Sequence, residues 1–429
     1  MDYVLSNCNL FDGTSTEANL REGVDIYVKD GVISAVVDHG DAEPGYQRID
    51  CTGKYAIPGL INLHVHLFGT GKPSKTLSGG GSAQTLIKIT KTALGAKVLD
   101  SMVKSGAQAQ LASGVTTVRA VGDFHWSDVR LRDRINAGIV RGPRLLVSGP
   151  AITVPGGHGD GTFAVTATDP DDLRALVRSH KEHGVDFIKI CVTGGVMDAK
   201  VKGEPGELKM SLEQTAAVCD EAHELGFYVA SHTESTEGVR VALGGGVDTV
   251  EHGAPATSET TELYKKAGAA DICTISPAIP LCKLDPSVTL MNEFTQFNAN
   301  VVFEGIVQGA RDALEAGVPV GLGTDSSCPF VTQYDMWREV CYFAKYVGVS
   351  PAYAIHTATL LNARIAGIEE ETGSIEAGKC ADISLYDANP LDDLAVLRAP
   401  SMVVARGLLL EHPTVKRISL VDAELDKLL

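Results

Sequence analysis

Tyr55-Ala-Ile-Pro-Gly-Leu-Ile-Asn-Leu-His64-Val-His66 is an apolar run that ends in two histidines one residue apart. Successive side chains of a β-strand alternate faces, so residues two apart point the same way. Two imidazoles on one face of a buried strand can grip a single metal ion. The pair alone proves little, because core histidines with satisfied hydrogen bonds are common. Its weight comes from the residues that follow.

Downstream of this run the chain alternates between short β-rich stretches and helical ones. Strands are expected at Leu60–His66, Thr116–Gly122, Arg144–Gly149, Phe187–Cys191, Phe227–Thr233, Thr249–Gly253, Asp271–Ser276 and Val318–Asp325. Amphipathic helices are expected between them, at Leu86–Ser113, Asp171–Glu182, Ser211–Leu225 and Phe303–Ala316. Gly114, Gly184, Gly226 and Gly317 each stand just before a strand, where a helix stop signal belongs. Eight strand–helix units in that order predict an α/β fold, a (β/α)8 TIM-like barrel. A doubly wound open sheet is the alternative, but no Gly-x-Gly-x-x-Gly follows the first strand.

The chain ends read differently. Val24–Val28 and Val32–Val37 flank the turn Lys29-Asp30-Gly31, a hairpin. Gly373–Tyr386 and Met402–Leu410 have the same β-rich character. Neither end has strands enough to stand alone, so together they predict one small β-sandwich. The expected division is residues 1–55 and 367–429 in the sandwich and tail, with residues 56–366 in the barrel. Leu420–Leu429 reads as a terminal helix or a loose tail.

Composition narrows the function. A chain of 429 residues, 44% hydrophobic, can bury one large core and a smaller module. A net charge of -17 argues against nucleic acid and anionic membrane surfaces as partners. No apolar stretch approaches a membrane span, and the start Met-Asp-Tyr-Val-Leu-Ser does not resemble a signal peptide. The nine cysteines show no Cys-x-x-Cys pair and read as reduced thiols of a cytoplasmic protein. A homo-oligomer built on exposed helical faces stays open.

Active sites of such barrels gather at the carboxyl ends of the strands. His64 and His66 end the first strand, His232 ends Tyr228-Val-Ala-Ser-His-Thr233, and His252 ends Thr249-Val-Glu-His-Gly253. Asp325 ends Gly321-Leu-Gly-Thr-Asp-Ser326, and Lys189 lies inside the apolar strand Phe187-Ile-Lys-Ile-Cys191. Each has an ordinary reading by itself: an aspartate before Ser-Ser caps a turn, and a lysine in an apolar strand snorkels. Packing alone does not account for six such groups on five strands, and a metal site does.

Pro58–His66, Val250-Glu-His252-Gly253, Gly323-Thr-Asp325-Ser326 and the tail Gly373–Ile383 resemble the amidohydrolase superfamily over nearly the whole chain. Within it, Phe187–Met197 and Gly156-Gly-His158-Gly-Asp160 resemble the Xaa-Pro dipeptidase and arginine carboxypeptidase group, which is imidazolonepropionase-like. The resemblance implies two divalent metal ions, zinc first among the candidates, bridged by Lys189 after carboxylation by CO2. It implies His64 and His66 on one ion, His232 and His252 on the other, and a metal-activated water as nucleophile. Asp325 would ligate the first ion and carry the proton to the leaving amine, with His158 a donor to the developing oxyanion. Members of that group often carry His-Ala-Tyr where this chain has His232-Thr233-Glu234. Glu234 would repel a substrate carboxylate and could pair with a cationic group, whereas Arg119, at the end of the second strand, could bind a carboxylate. Leu77–Ser82, with three consecutive glycines, reads as a lid or a loop.

The expected activity is hydrolysis of a peptide-like C–N bond in a small substrate, a dipeptide or an N-acyl amino acid. Opening of a cyclic amide or deamination of a heterocycle is the alternative, and Lys189 counts against the deaminases, which lack the bridging lysine. A non-catalytic scaffold would be expected to have lost ligands, and this chain keeps all six.

Overall fold

The computed structural model describes residues 2–41, 43–73, 90 and 92–429. Leu77–Ser82 lies outside the described residues. The terminal strands are β1 Tyr3–Leu10, β2 Arg21–Lys29, β3 Val32–Asp38, β4 Gln47–Asp50 and β5 Tyr55–Pro58. The barrel follows with β6 Leu60–Val65, β7 Val115–Ala120, β8 Arg144–Val147, β9 Ala151–Thr153, β10 Ala164–Thr166, β11 Ile188–Cys191, β12 Val229–Thr233, β13 Thr249–His252, β14 Ala270–Cys273 and β15 Val320–Leu322. The chain returns to the terminal sheet with β16 Ile383–Tyr386, β17 Met402–Ala405 and β18 Leu408–Glu411.

All eight expected barrel strands are present, and every ladder among them is parallel. The third is broken. Gly149 takes a left-handed φ of 65, so β8 pairs with β7 while its continuation β9 pairs with β11. The ring closes through a parallel bridge between Val65 and Ser326, reinforced by two buried asparagines. Asn62 Oδ1 accepts from Thr324 N, and Asn362 Nδ2 donates to both Ile61 O at 2.7 Å and Leu322 O at 2.9 Å. The four glycines read as helix stops have φ between 73 and 92, the left-handed conformation that ends a helix cheaply only at glycine. Ser211 caps Leu212–Glu224 in a reciprocal box with Gln214. The last long helix begins ten residues before the expected Phe303, at Glu293, where the Asn292 side chain caps it.

The terminal strands form an eight-stranded mixed sheet in the order β18-β17-β16-β5-β1-β2-β3, with β4 also on β1. The β2–β3 hairpin packs back against the segment leading into β16: Ile33 N donates to Lys379 O, and Ala381 N to Gly31 O. Leu5, Val24, Ile26, Ile383, Leu385 and Val404 therefore share one core, the β-sandwich expected from both termini. β5 pairs with β16 and β1, so Tyr55–Pro58 joins the terminal sheet. The tail is not loose. Helix Ser419–Leu425 docks on the barrel, where fully buried Arg338 meets Asp422 at 2.9 Å and Asp426 at 2.6 Å.

Candidate metal centre

Register brings the expected ligands to one end of the barrel. Cys191 pairs with His232 and Thr233 with His252, so β11, β12 and β13 end level. β15 approaches β6 closely enough that a Cβ on Gly323 would come within 2.4 Å of the His64 Cβ. The amides of Thr324 and Asp325 both bond His64 O, which sets the Asp325 carboxylate over the histidine pair. Its Oδ1 stands 3.6 Å from His64 Nε2 and 3.4 Å from His66 Nε2. His252 and Asp325 hold left-handed backbones, φ 75 and 54, strain of the kind that functional positions carry.

His64, His66, His158, Lys189, His232, His252 and Asp325 line one pocket, together with Phe163 and Cys191. The pocket is small, about 10 Å³, near the volume of a single water-sized sphere and suited to ions rather than to a whole substrate. A much larger cleft of about 950 Å³ runs from Gly203–Glu207 to the helix Glu293–Glu315, and of the expected site residues it meets only Glu234. The candidate metal donors converge in the small pocket.

Each imidazole is oriented by a partner, which decides the nitrogen it offers. His64 Nδ1 bonds Glu251 Oε2 at 2.7 Å, His66 Nδ1 bonds Gly122 O at 2.6 Å, and His252 Nδ1 bonds Thr274 Oγ1 at 2.7 Å. With Nδ1 engaged, Nε2 is left toward the pocket. His232 is the reverse case: its Nε2 lies 3.2 Å from Gly194 O, which leaves Nδ1 as the nitrogen to offer, and its ring stacks on His158 at 4.0 Å between centroids. Burial first, then neighbouring cationic groups, pushes His64, His232 and His252 well below the ordinary histidine range. Burial also lowers His66, against the pull of Asp325. Neutral imidazole is the form that binds metal.

Two buried atoms in this pocket have no hydrogen-bond partner among the described residues, Lys189 Nζ and His252 Nε2. Orphans of this kind are costly unless something unseen satisfies them. His64, His66 and Asp325 form one group of donors close enough for an ion, and His232, Glu234 and His252 form a second. The donor set thus fits divalent metal ions.

Arg119 is the one expected site residue placed elsewhere. Its side chain is completely buried beneath the pocket, where it donates to Glu251 at 2.7 and 2.9 Å, to Leu63 O and to Thr249 Oγ1. With its guanidinium so engaged, Arg119 cannot meet a substrate carboxylate, and that expectation is corrected. Glu234 lines the larger cleft, with its carboxylate near His232 and His252, and burial, with Asp325 and Asp198 nearby, pushes its carboxyl up to about 8. His158 Nδ1 meets Asp198 at 2.5 Å.

The amidohydrolase family profile matches residues 55–410. The chain belongs to the amidohydrolase family. This amidohydrolase is therefore a hydrolase of amide C–N bonds. A candidate prolidase from Bifidobacterium longum superposes with a TM-score of 0.87 at 38% identity, covering 99% of this chain and 98% of that one. A Xaa-Pro dipeptidase with methionine in its active site superposes at 0.84 with 30% identity, covering 96% of this chain and all of that one. The imidazolonepropionase of Streptococcus gordonii is 27% identical over 89% of this chain and 88% of its own length.

Glu251, Thr274 and Asp198 were not legible as site residues. Glu251 lies within Val250-Glu-His252-Gly253, and its charge is the one signal the sequence carries: an arginine and a glutamate inside apolar barrel strands require each other. Thr274 and Asp198 give no such signal, because they act on histidines remote in sequence.

Proposed function

We propose that this amidohydrolase releases an amino acid from a dipeptide or an N-acyl amino acid, using two divalent ions with zinc as the first choice. His64, His66 and Asp325 would hold one ion, His232 and His252 the other, and carboxylated Lys189 would lie between them. The observation that carries this reading is Lys189 Nζ, buried in a pocket lined by five imidazoles and without a hydrogen-bond partner among the described residues. An ammonium left there unpaired would be expensive. Burial lowers the Lys189 pKa, which favours the neutral amine. That amine can attack CO2, forming an N–C bond and releasing a proton, and the resulting carbamate carries an anion on two oxygens.

Divalent ions bound there would supply Lewis acidity, acidifying a water and polarising the substrate carbonyl. Asp325, poised over His64 and His66, takes the proton of the attacking water and returns it to the leaving amine. His158, steadied by Asp198, offers its free Nε2 to the oxygen on which charge develops. The likeness to a Xaa-Pro dipeptidase over 96% of the chain supports a dipeptide substrate. The imidazolonepropionase likeness supports a cyclic amide as the second reading.

The test is a library of dipeptides, N-acyl amino acids and cyclic amides offered to the zinc-loaded protein with bicarbonate and read by mass spectrometry. Cleavage grouped on one C-terminal residue is the expected result. Turnover confined to cyclic amides would replace the peptidase reading. Lys189→Ala should lose bound metal and turnover, with partial rescue by short carboxylic acids; a variant that keeps both ions and its full rate would remove the bridging role.

A further inference from the structure

We propose that Glu234 is a protein ligand of the second metal ion, joining His232 and His252, an inference that rests on the two-metal reading above. His232-Thr233-Glu234 repeats, at the end of β12, the spacing of His64-Val65-His66 at the end of β6. The i, i+2 relation of a strand turns both members of each pair to the same side. The barrel thus presents two such pairs, one of two imidazoles and one of an imidazole and a carboxylate.

The geometry agrees. Donor atoms of His232, Glu234 and His252 all lie within 4.8 Å of one another. Ligands about 2.1 Å from a shared tetrahedral ion stand about 3.4 Å apart, so the longest of these separations would close by at most about 1.4 Å on binding, within the reach of side-chain rotation. Gly195 leaves the room for this: a Cβ there would stand 3.3 Å from both Glu234 Oε2 and His232 Nε2.

The electrostatics agree as well. Glu234 Oε2 is buried without a hydrogen-bond partner, as is His252 Nε2. A buried carboxylate needs donors or a cation. The charged groups acting most strongly on Glu234 are Asp325 and Asp198, both of its own sign. A cation shared with His232 and His252 would satisfy the two orphaned atoms together. A carboxylate in place of a third neutral donor also makes this site harder, favouring zinc or manganese over softer ions.

Wild-type protein and Glu234→Gln, stripped of metal and reloaded with bicarbonate present, are titrated with Zn2+ against a chromophoric chelator and with Co2+ followed by visible absorption. Wild type should bind about two ions per chain. Glu234→Gln should hold the first ion unchanged, bind the second at least about 10-fold more weakly, and alter the absorption of the second Co2+. Glu234→Asp, which keeps the charge on a shorter arm, is run beside it and should fall between the two. Circular dichroism of the metal-free proteins checks that the variants fold, and if Glu234→Gln does not, Glu234→Asp decides. Second-site affinity and Co2+ absorption like those of wild type would overturn the proposal, and selective loss of turnover on lysine- or arginine-containing substrates would then assign Glu234 to substrate. Wild type binding only one ion per chain would overturn the two-metal reading and this inference with it.

Discussion

Arg119, Glu251 and His64 form a chain of contacts that runs up from the barrel interior to the metal pocket. Arg119 grips both Glu251 oxygens, and Glu251 Oε2 holds His64 Nδ1 at 2.7 Å. The arrangement is a carboxylate–histidine pair with its own counter-ion. It sets which His64 nitrogen faces the pocket and places a counter-charge against the glutamate in an apolar surrounding. Glu251→Gln keeps the shape and removes the charge. It should weaken the first metal ion by about 10–100-fold while leaving the fold intact. Chelator competition measures this, and unchanged affinity would reduce Glu251 to a packing role. Arg119→Met is the harsher change, since it leaves Glu251 buried and uncompensated, and it should cost about 3–5 kcal/mol of stability. A loss below about 1 kcal/mol in denaturant titration would contradict the pairing. These two residues also mark where sequence reading reached its limit. Arg119 was visible as a strand-end arginine, but a side chain's partner across 132 residues of sequence is not.

The barrel is least regular where its first and last strands meet. β6 and β15 are joined by a single bridge at Val65 and Ser326, and side chains supply what the ladder lacks. Asn362 takes three backbone groups at once, donating to Ile61 O and Leu322 O and accepting from Leu322 N at 2.9 Å. Asn362→Leu would leave those groups buried and unsatisfied, so it should destabilise the protein by about 3 kcal/mol. Denaturant unfolding reads the loss, and a change under about 0.5 kcal/mol would show that the strands close without it. The same seam carries His64 and Asp325, so metal affinity should fall together with stability. At this scale the strands were legible because they are apolar runs punctuated by glycine stops. The break after β8 was not, because Gly149 reads as one more strand end until β9 is seen paired with β11.

Across the whole molecule, buried carboxyls tie stability to pH. Burial pushes Asp271 up to about 8, opposed by the Tyr264 hydroxyl and reinforced by Glu251. Burial likewise raises Glu339 to about 7, although Ile275 N, Ser276 N and the Ser276 hydroxyl donate to it. In the unfolded chain both groups ionise near 4. Between about pH 4 and their folded values the native state holds protons that the unfolded state lacks, so stability falls as pH rises through that window. Asp271→Asn should flatten part of this decline between pH 5 and 8 in the metal-stripped protein. Equal slopes for wild type and variant in denaturant titrations at pH 5, 6.5 and 8 would rule Asp271 out. The terminal helix belongs to this scale too. It is held to the barrel by Arg338 with Asp422 and Asp426, a contact that composition and periodicity could not place.

What the sequence determined by itself is periodic or local: strand and helix alternation, glycine stops, the hairpin turn at Asp30-Gly31, and histidines at strand ends, two of them the i, i+2 pair His64 and His66. These follow from backbone geometry, which repeats every two or 3.6 residues and is written in each short segment. The tertiary structure decided what depends on closure of the ring. It chose which nitrogen each histidine offers, took Arg119 from substrate to Glu251, and turned Glu234 toward His232 and His252. Hydrogen bonding and charge pairing act over a few ångströms in space, and the folded barrel brings those few ångströms together from residues far apart in sequence.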